Sequence, residues 1–119
     1  HQCSRPLVFG GAVRMEGQVS VFQSSIKGQL SSPCYRCVFP AMPNSKQAPS
    51  CSEAGILGPV AGLVGTLQAL ETIKLILGQP GTLTNRLLLI EGAGSEFMEI
   101  QTTSRSDCSC CGKQSNNTI

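Results

Sequence analysis

Two short stretches carry cysteines at a spacing that does chemistry. PCYRC places Cys34 and Cys37 two residues apart, and CSCC, beside the C-terminus, places Cys108 and Cys111 in the same register. A turn of this spacing aims two sulfurs at one ion. Two such turns supply the four thiolates of a closed tetrahedral zinc site, with Zn–S distances of about 2.3 Å. Such a site has no open position, so its role is structural. Gly112 follows the second pair and lets the backbone turn tightly there. Cys110 leaves a second register open, Cys108 with Cys110. The count of seven cysteines is odd, and no secretory leader is visible, so a disulfide scaffold fits less well than thiolates kept for a metal. A redox CxxC is the third alternative.

Cys51, in APSCSEAGILGP, stands apart. It precedes a helix start, where the helix dipole lowers a thiol pKa and favours the nucleophilic thiolate, although Glu53 opposes this. It is the candidate for covalent chemistry, against the plain alternative of a semi-buried bystander thiol. Cys3 reads only as a bystander. His1 is the sole histidine, so no Cys–His or Ser–His–Asp constellation arises. Neither a GxGxxG nor a phosphate-binding P-loop is present. Arg14 and Glu16, in RMEGQ, are charges within a strand-like stretch; such residues face solvent or line a groove.

The elements that position these residues follow from patterning. The 119 residues suit one domain, 1–112, with a polar tail at 113–119. The formal net charge of +2 gives no field to recruit nucleic acid or anionic lipid. With no Trp and one Tyr, the composition argues against a base-stacking platform. PLVFGGAVRMEGQVSVF reads as two strands, with Leu7, Val8 and Phe9 as a buried run and Val19, Ser20 and Val21 alternating. Gly10 and Gly11 mark a bulge or a close backbone approach. SSIKGQLSSP is a polar loop, and PAMPNSKQAPS, with three prolines, is no regular element. GPVAGLVGTLQALETIKLILG is the long helix, opened by Pro59 and closed by Gly78. Its apolar stripe is Leu63, Leu67, Leu70 and Leu77 along with Lys74, widened by Val60, Val64, Ile73 and Ile76. The apolar run is too short and too interrupted, by Glu71 and Lys74, to span a membrane. RLLLIE–GAGS–EFMEIQTT reads as a hairpin, with Phe97, Glu99 and Gln101 on one side and Met98, Ile100 and Thr102 on the other. The expected fold is α/β: a mixed sheet of about four strands with one long packed helix, the cysteine knuckles together at one end.

These stretches, in this order, resemble the C-terminal half of the ThiF/MoeB/HesA family, relatives of the ubiquitin-activating enzymes. The resemblance covers PLVFGGAVRMEGQVSVF, PCYRCVFP, PSCSEAGILGPVAGLVGTLQALETIKLILG, RLLLIEGAGSEFMEI and DCSCCG. It implies a part of a Rossmann-like fold. It also implies ATP- and magnesium-dependent adenylation of the C-terminal glycine of a ubiquitin-like sulfur carrier, for molybdopterin or thiamin synthesis, by a cytoplasmic homodimer. Carried over, Cys34, Cys37, Cys108 and Cys111 match the zinc ligands. Cys51 matches a position that in some members links covalently to the carrier, and Arg14 lies near the groove for the carrier's tail. The family's ATP site lies in its other half, so this chain is expected to supply the zinc site and carrier docking without ATP binding. It is also expected to self-associate through an exposed sheet edge. A sequence starting without Met favours a fragment of an enzyme over a stand-alone module that docks a ubiquitin-like protein. The third reading is a zinc or redox thiol protein.

Overall fold

The computed structural model describes residues 1–24, 32–42, 44 and 51–112, with the backbone alone at Cys51. The loops expected around 25–31 and 43–50 fall largely outside the described residues, as does the tail at 113–119.

Four strands form one sheet in the order β1 (Leu7–Val13), β2 (Glu16–Phe22), β3 (Arg86–Glu91) and β4 (Glu96–Gln101). All three strand pairs are antiparallel, which corrects the expected mixed sheet. The only parallel pairings among the described residues are isolated bridges, Arg14 with Ile56 and Val21 with Thr84. The reason is connectivity. Two-residue and four-residue turns join β1 to β2 and β3 to β4, and tight turns return the chain antiparallel. Register is unbroken from Leu7–Phe22 to Val13–Glu16, so Gly10 and Gly11 mark no bulge. The close approach is real: a Cβ on Gly10 would lie 2.3 Å from Gln68 Cδ. Gln68 Nε2 donates to Val8 O at 3.3 Å.

The long helix, α3 (Gly58–Ile76), carries Pro59 in its first turn. It ends as the sequence predicts. Gly78 takes φ +64°, its N–H reaches Leu75 O, and Gln79 N–H donates to Lys74 O at 2.8 Å, the crossed bonds of a glycine-closed C-terminus. α3 lies over β1 and β2. Val19, Val21, Val64, Leu83 and Ile90 form the core there. A Cβ on Gly17 would stand 2.7 Å from Val64 Cγ2, so a residue without a side chain lets the helix settle onto β2.

The buried stripe of α3 is not the one its leucines suggest. Val60, Val64 and Glu71 are buried, whereas Leu63, Leu70 and Leu77 are exposed, as are Ile73 and Ile76. Apolar residues occupy every side of this helix, so periodicity alone cannot select the side that meets the sheet. Glu71, 2% exposed, ion-pairs with Lys74 and accepts the Leu83 N–H at 2.7 Å. Lys74 also donates to Gly81 O at 3.1 Å. This pair clasps the loop leading into β3. In β1, Leu7 is exposed, not part of a buried run. Ser20 is buried rather than alternating outward, and its hydroxyl donates to Arg86 O at 2.7 Å. Both faces of β2 are therefore covered around Ser20, while its Glu16 end stays open. β4 keeps the expected alternation, with Phe97 facing Ile90 and Met98 facing Leu89, but every one of its residues is exposed. No described helix is long and apolar enough to cross a membrane.

Candidate metal centre

The first cysteine pair is set by a one-turn helix, α1 (Tyr35–Val38). Cys34 precedes it in extended conformation (φ −87°, ψ 172°), and the Cys37 N–H donates to Cys34 O at 3.0 Å. Alternation puts Phe9 and Phe22 on the sheet face opposite α3. Tyr35 and Phe39 pack on them, with ring centroids 5.4 Å apart for Phe9–Tyr35, 5.2 Å for Phe9–Phe39 and 5.8 Å for Phe22–Tyr35. Aromatic packing thus fixes the turn that presents Cys34 and Cys37.

The second pair sits in a backbone knot. Cys108 N–H donates to Arg105 O, and Gly112 N–H to Cys108 O. A Cβ at residue 112 would lie 2.5 Å from Cys108 O and 2.6 Å from Ser106 O, so glycine is required there. Arg105 and Asp107 brace the turn with Nη2–Oδ2 at 2.7 Å. Their hydrogen bond and charge hold the Asp107 carboxyl below its ordinary range.

The two pairs meet. Sγ–Sγ separations are 3.8 Å for Cys34–Cys37, 3.6 Å for Cys34–Cys108 and 3.3 Å for Cys37–Cys111, and all four sulfurs lie within 4.8 Å of one another. Four sulfurs at about 2.3 Å from one zinc stand roughly 3.8 Å apart, so both donor set and spacing fit a metal ion. The register is Cys108 with Cys111; Cys110 is half-buried and outside the tetrad. Backbone N–H groups point at two sulfurs, Arg105 N to Cys37 Sγ and Cys110 N to Cys108 Sγ, each 3.4 Å. Such donors favour thiolate. Burial opposes ionisation of Cys108, yet the N–H groups of Cys111 and Cys110 and the thiols of Cys34 and Cys37 outweigh it and bring this thiol down to about 6. Burial holds Cys37 and, more strongly, Cys111 above the ordinary thiol range. One thiolate therefore forms readily, and an ion must displace the protons held on Cys37 and Cys111.

The remaining candidates lie elsewhere. Cys3 is exposed. Cys51 opens its own single turn, α2 (Cys51–Ala54), and not α3, whose start is seven residues on. The Cys51 side chain lies outside the described residues. Arg14 is exposed at the β1–β2 hairpin tip with φ +54°. Its N–H donates to Gly55 O, and its carbonyl accepts from Leu57 N–H at 2.8 Å, tying the hairpin to the entry of α3. Glu16, Gly17 and Gln18 of the same RMEGQ motif line a groove of about 320 Å³ on the sheet. Sequence reasoning missed Arg105, whose N–H reaches Cys37 Sγ. Its position three residues before Cys108 was the available signal.

Residues 1–111 match the ThiF family. The chain belongs to the ThiF family. It is 44% identical over 108 residues to the adenylyltransferase and sulfurtransferase MOCS3 of Culex quinquefasciatus, covering 90% of this chain and 24% of that protein. For the MOCS3 of Aedes aegypti the identity is 43% over 108 residues, with the same coverage. The chain thus spans about a quarter of the length of these relatives. Among solved structures, Escherichia coli MccB with ATP superposes with a TM-score of 0.69 at 21% identity, over 93% of this chain and 32% of that one. MccB alone gives 0.68 at 18% identity, over 99% and 35%. At that identity, MccB shares the fold.

Proposed function

We propose that this chain is the C-terminal, zinc-bearing and carrier-docking part of an enzyme that activates a ubiquitin-like sulfur carrier. In this reading the enzyme uses ATP and magnesium to adenylate the carrier's C-terminal glycine, in molybdopterin or thiamin synthesis. The observation that carries the reading is the convergence of four sulfurs, from two distant CxxC turns, in a chain matched to the ThiF family along almost its whole length. MOCS3 is by name an adenylyltransferase and sulfurtransferase, which supports the reaction class and favours an enzyme part over a stand-alone docking module.

In this reading zinc is held by Cys34, Cys37, Cys108 and Cys111. Bound there, it supplies a cross-link and no reactive position. Residues 1–112 act as one unit. ATP and magnesium are bound by parts of the enzyme corresponding to the remaining three-quarters of the MOCS3 relatives. Arg14, at a hairpin tip tied to the entry of α3, contacts the carrier, and Cys51 is the candidate for covalent transfer. The open strand β4 offers unpaired backbone groups for association with a second copy. The proposed setting is the cytoplasm.

Native mass spectrometry of the purified chain, with and without a chelator, tests this. One zinc per chain, lost together with compact structure, is the expected result, and the same spectrum reports dimers. No metal, with a mass lowered by pairs of hydrogens, would mean disulfides and would remove the zinc role. A metal-bearing chain that fails to bind any Gly-Gly-ended carrier would leave the thiol-protein reading standing instead.

A further inference from the structure

Five of the chain's seven cysteines gather in one place, and the proposed zinc site uses four of them. The fifth, Cys110, packs against the buried Cys34, Cys37 and Cys108 without joining the tetrad. Its N–H donates to Cys108 Sγ at 3.4 Å, so its backbone serves the cluster while its thiol does not. That thiol is half-buried. Cys110 also lines a cavity of about 130 Å³, and Cys34, a member of the tetrad, lines the same cavity beside Tyr35. One wall thus holds a spare sulfur and another a proposed metal ligand.

The rim of this cavity is basic. Arg5 and Arg36 both line it, and neither has a carboxylate partner among the described residues, where the ion pairs take up Lys74, Arg86 and Arg105. Arg36 stands between Cys34 and Cys37 in the chain. Four thiolates around a divalent ion carry net negative charge and repel an anionic reagent. Two unpaired guanidiniums at the mouth oppose that repulsion and draw anions in. Reactive cysteines occupy partly exposed, electropositive surroundings of this kind, whereas buried structural ones are inert.

We propose that Cys110 is a modification site, at which an anionic low-molecular-weight disulfide of the glutathione class enters the sulfur cluster and unlocks it. The Cys110 thiolate attacks one sulfur of the reagent. A bond forms between them, the reagent's S–S bond breaks, and one half leaves as a thiolate while the other stays on Cys110. Cys34 then attacks Cys110 Sγ and expels the second half as a thiolate. The two cysteines give up one electron pair, and the reagent takes it up as it becomes two thiols. Cys34 no longer offers a thiolate, so zinc loses a ligand and leaves. An excess of small thiol runs the exchange backwards and restores the tetrad. The inference rests on the zinc reading above and adds a route by which the ion is released.

The test treats the reduced, zinc-loaded full chain with oxidised glutathione and, separately, with cystamine, a disulfide of opposite charge. Intact-mass measurement with peptide mapping locates the adducts, and a chromogenic chelator follows zinc. The first glutathione adduct is expected on Cys110, followed by a Cys34–Cys110 disulfide and loss of zinc. Cys110→Ser is expected to hold zinc at the outset and to release it about tenfold more slowly or worse, since the first exchange has lost its nucleophile. R5Q/R36Q is expected to react several-fold more slowly with oxidised glutathione and unchanged with cystamine. Mapping the first adduct needs wild type alone and decides the case where a variant fails to fold. Absence of an adduct on Cys110, or zinc release from folded Cys110→Ser at the wild-type rate, would overturn the proposal. An undiminished glutathione rate in folded R5Q/R36Q would overturn the anionic class of the reagent. A chain that takes the adduct on Cys110 but holds no zinc beforehand would overturn the zinc reading and leave the modification site standing.

Discussion

Two regions hold this chain together by different means. Around Val64, the helix α3 and strands β1 and β2 interlock by shape, and the glycines at residues 10 and 17 let them come close. Around Cys37, little apolar surface is available beyond the Phe9–Phe22–Tyr35–Phe39 cluster, and the chain relies on four sulfurs. A packed core tolerates modest loss at many positions. A four-ligand site does not degrade gradually, because each ligand serves the same ion. With the proposed ion in place, the sulfur region would respond all-or-none and the helix region by degrees.

The largest test of that contrast is Cys37→Ser. It is expected to abolish stoichiometric zinc and to destabilise the chain by more than any core change, since structural zinc contributes on the order of 10 kcal/mol in small domains; metal analysis and urea unfolding read this out. Acidification acts in the same direction. With Cys37 and Cys111 held above the ordinary thiol range, zinc uptake releases protons, so affinity is expected to fall steadily from pH 8 to pH 6 in a competition titration. An affinity flat in pH would sink the four-thiolate assignment. Next in size, Glu71→Gln removes the charged partner of the half-buried Lys74 and weakens the bond to Leu83 N–H, and is expected to cost about 2 kcal/mol in urea unfolding, with zinc content unchanged. Loss of zinc in this variant would show that the two regions are not independent. Gly17→Ala drives a methyl group against Val64 and is expected to cost roughly 1–3 kcal/mol, again with zinc retained. The smallest change sharpens the functional side. Arg14→Gly removes a positive-φ strain of about 1 kcal/mol, so stability should rise slightly. If carrier binding then persists undiminished, Arg14 is a turn residue and no more.

What the sequence made legible divides along the same line. The sulfur cluster could be read because its information is local: two residues between cysteines, and a glycine after the second pair. The helix ends were legible for the same reason, since Pro59 and Gly78 act on their own turns. The buried stripe was not, because Leu63, Leu70 and Val64 are equally apolar and only the sheet selects among them. Burial of Glu71 and Ser20 depends on partners at Leu83 and Arg86, far along the chain. The row Glu16–Glu91–Glu96 is invisible until strand register brings together residues 75 and 5 positions apart. Cys51 lies upstream of α3, as its place in the sequence suggests, and opens the separate single turn α2.

The sequence separation across the sulfur cluster sets an order of events. Cys34 and Cys108 are 74 residues apart, as are Cys37 and Cys111, whereas the β1–β2 and β3–β4 hairpins close within a few residues. Near contacts form before distant ones, because closing a long loop costs entropy before it returns anything. The hairpins and α3 therefore assemble first, and a zinc ion in the proposed site would be captured late, together with the β2–β3 pairing, whose partners lie as far apart in sequence. Zinc should then leave the refolding rate nearly unchanged and act by slowing unfolding. In stopped-flow measurements the metal would appear as a latch on the exit, while a zinc-accelerated refolding phase would place the ion at the nucleus instead.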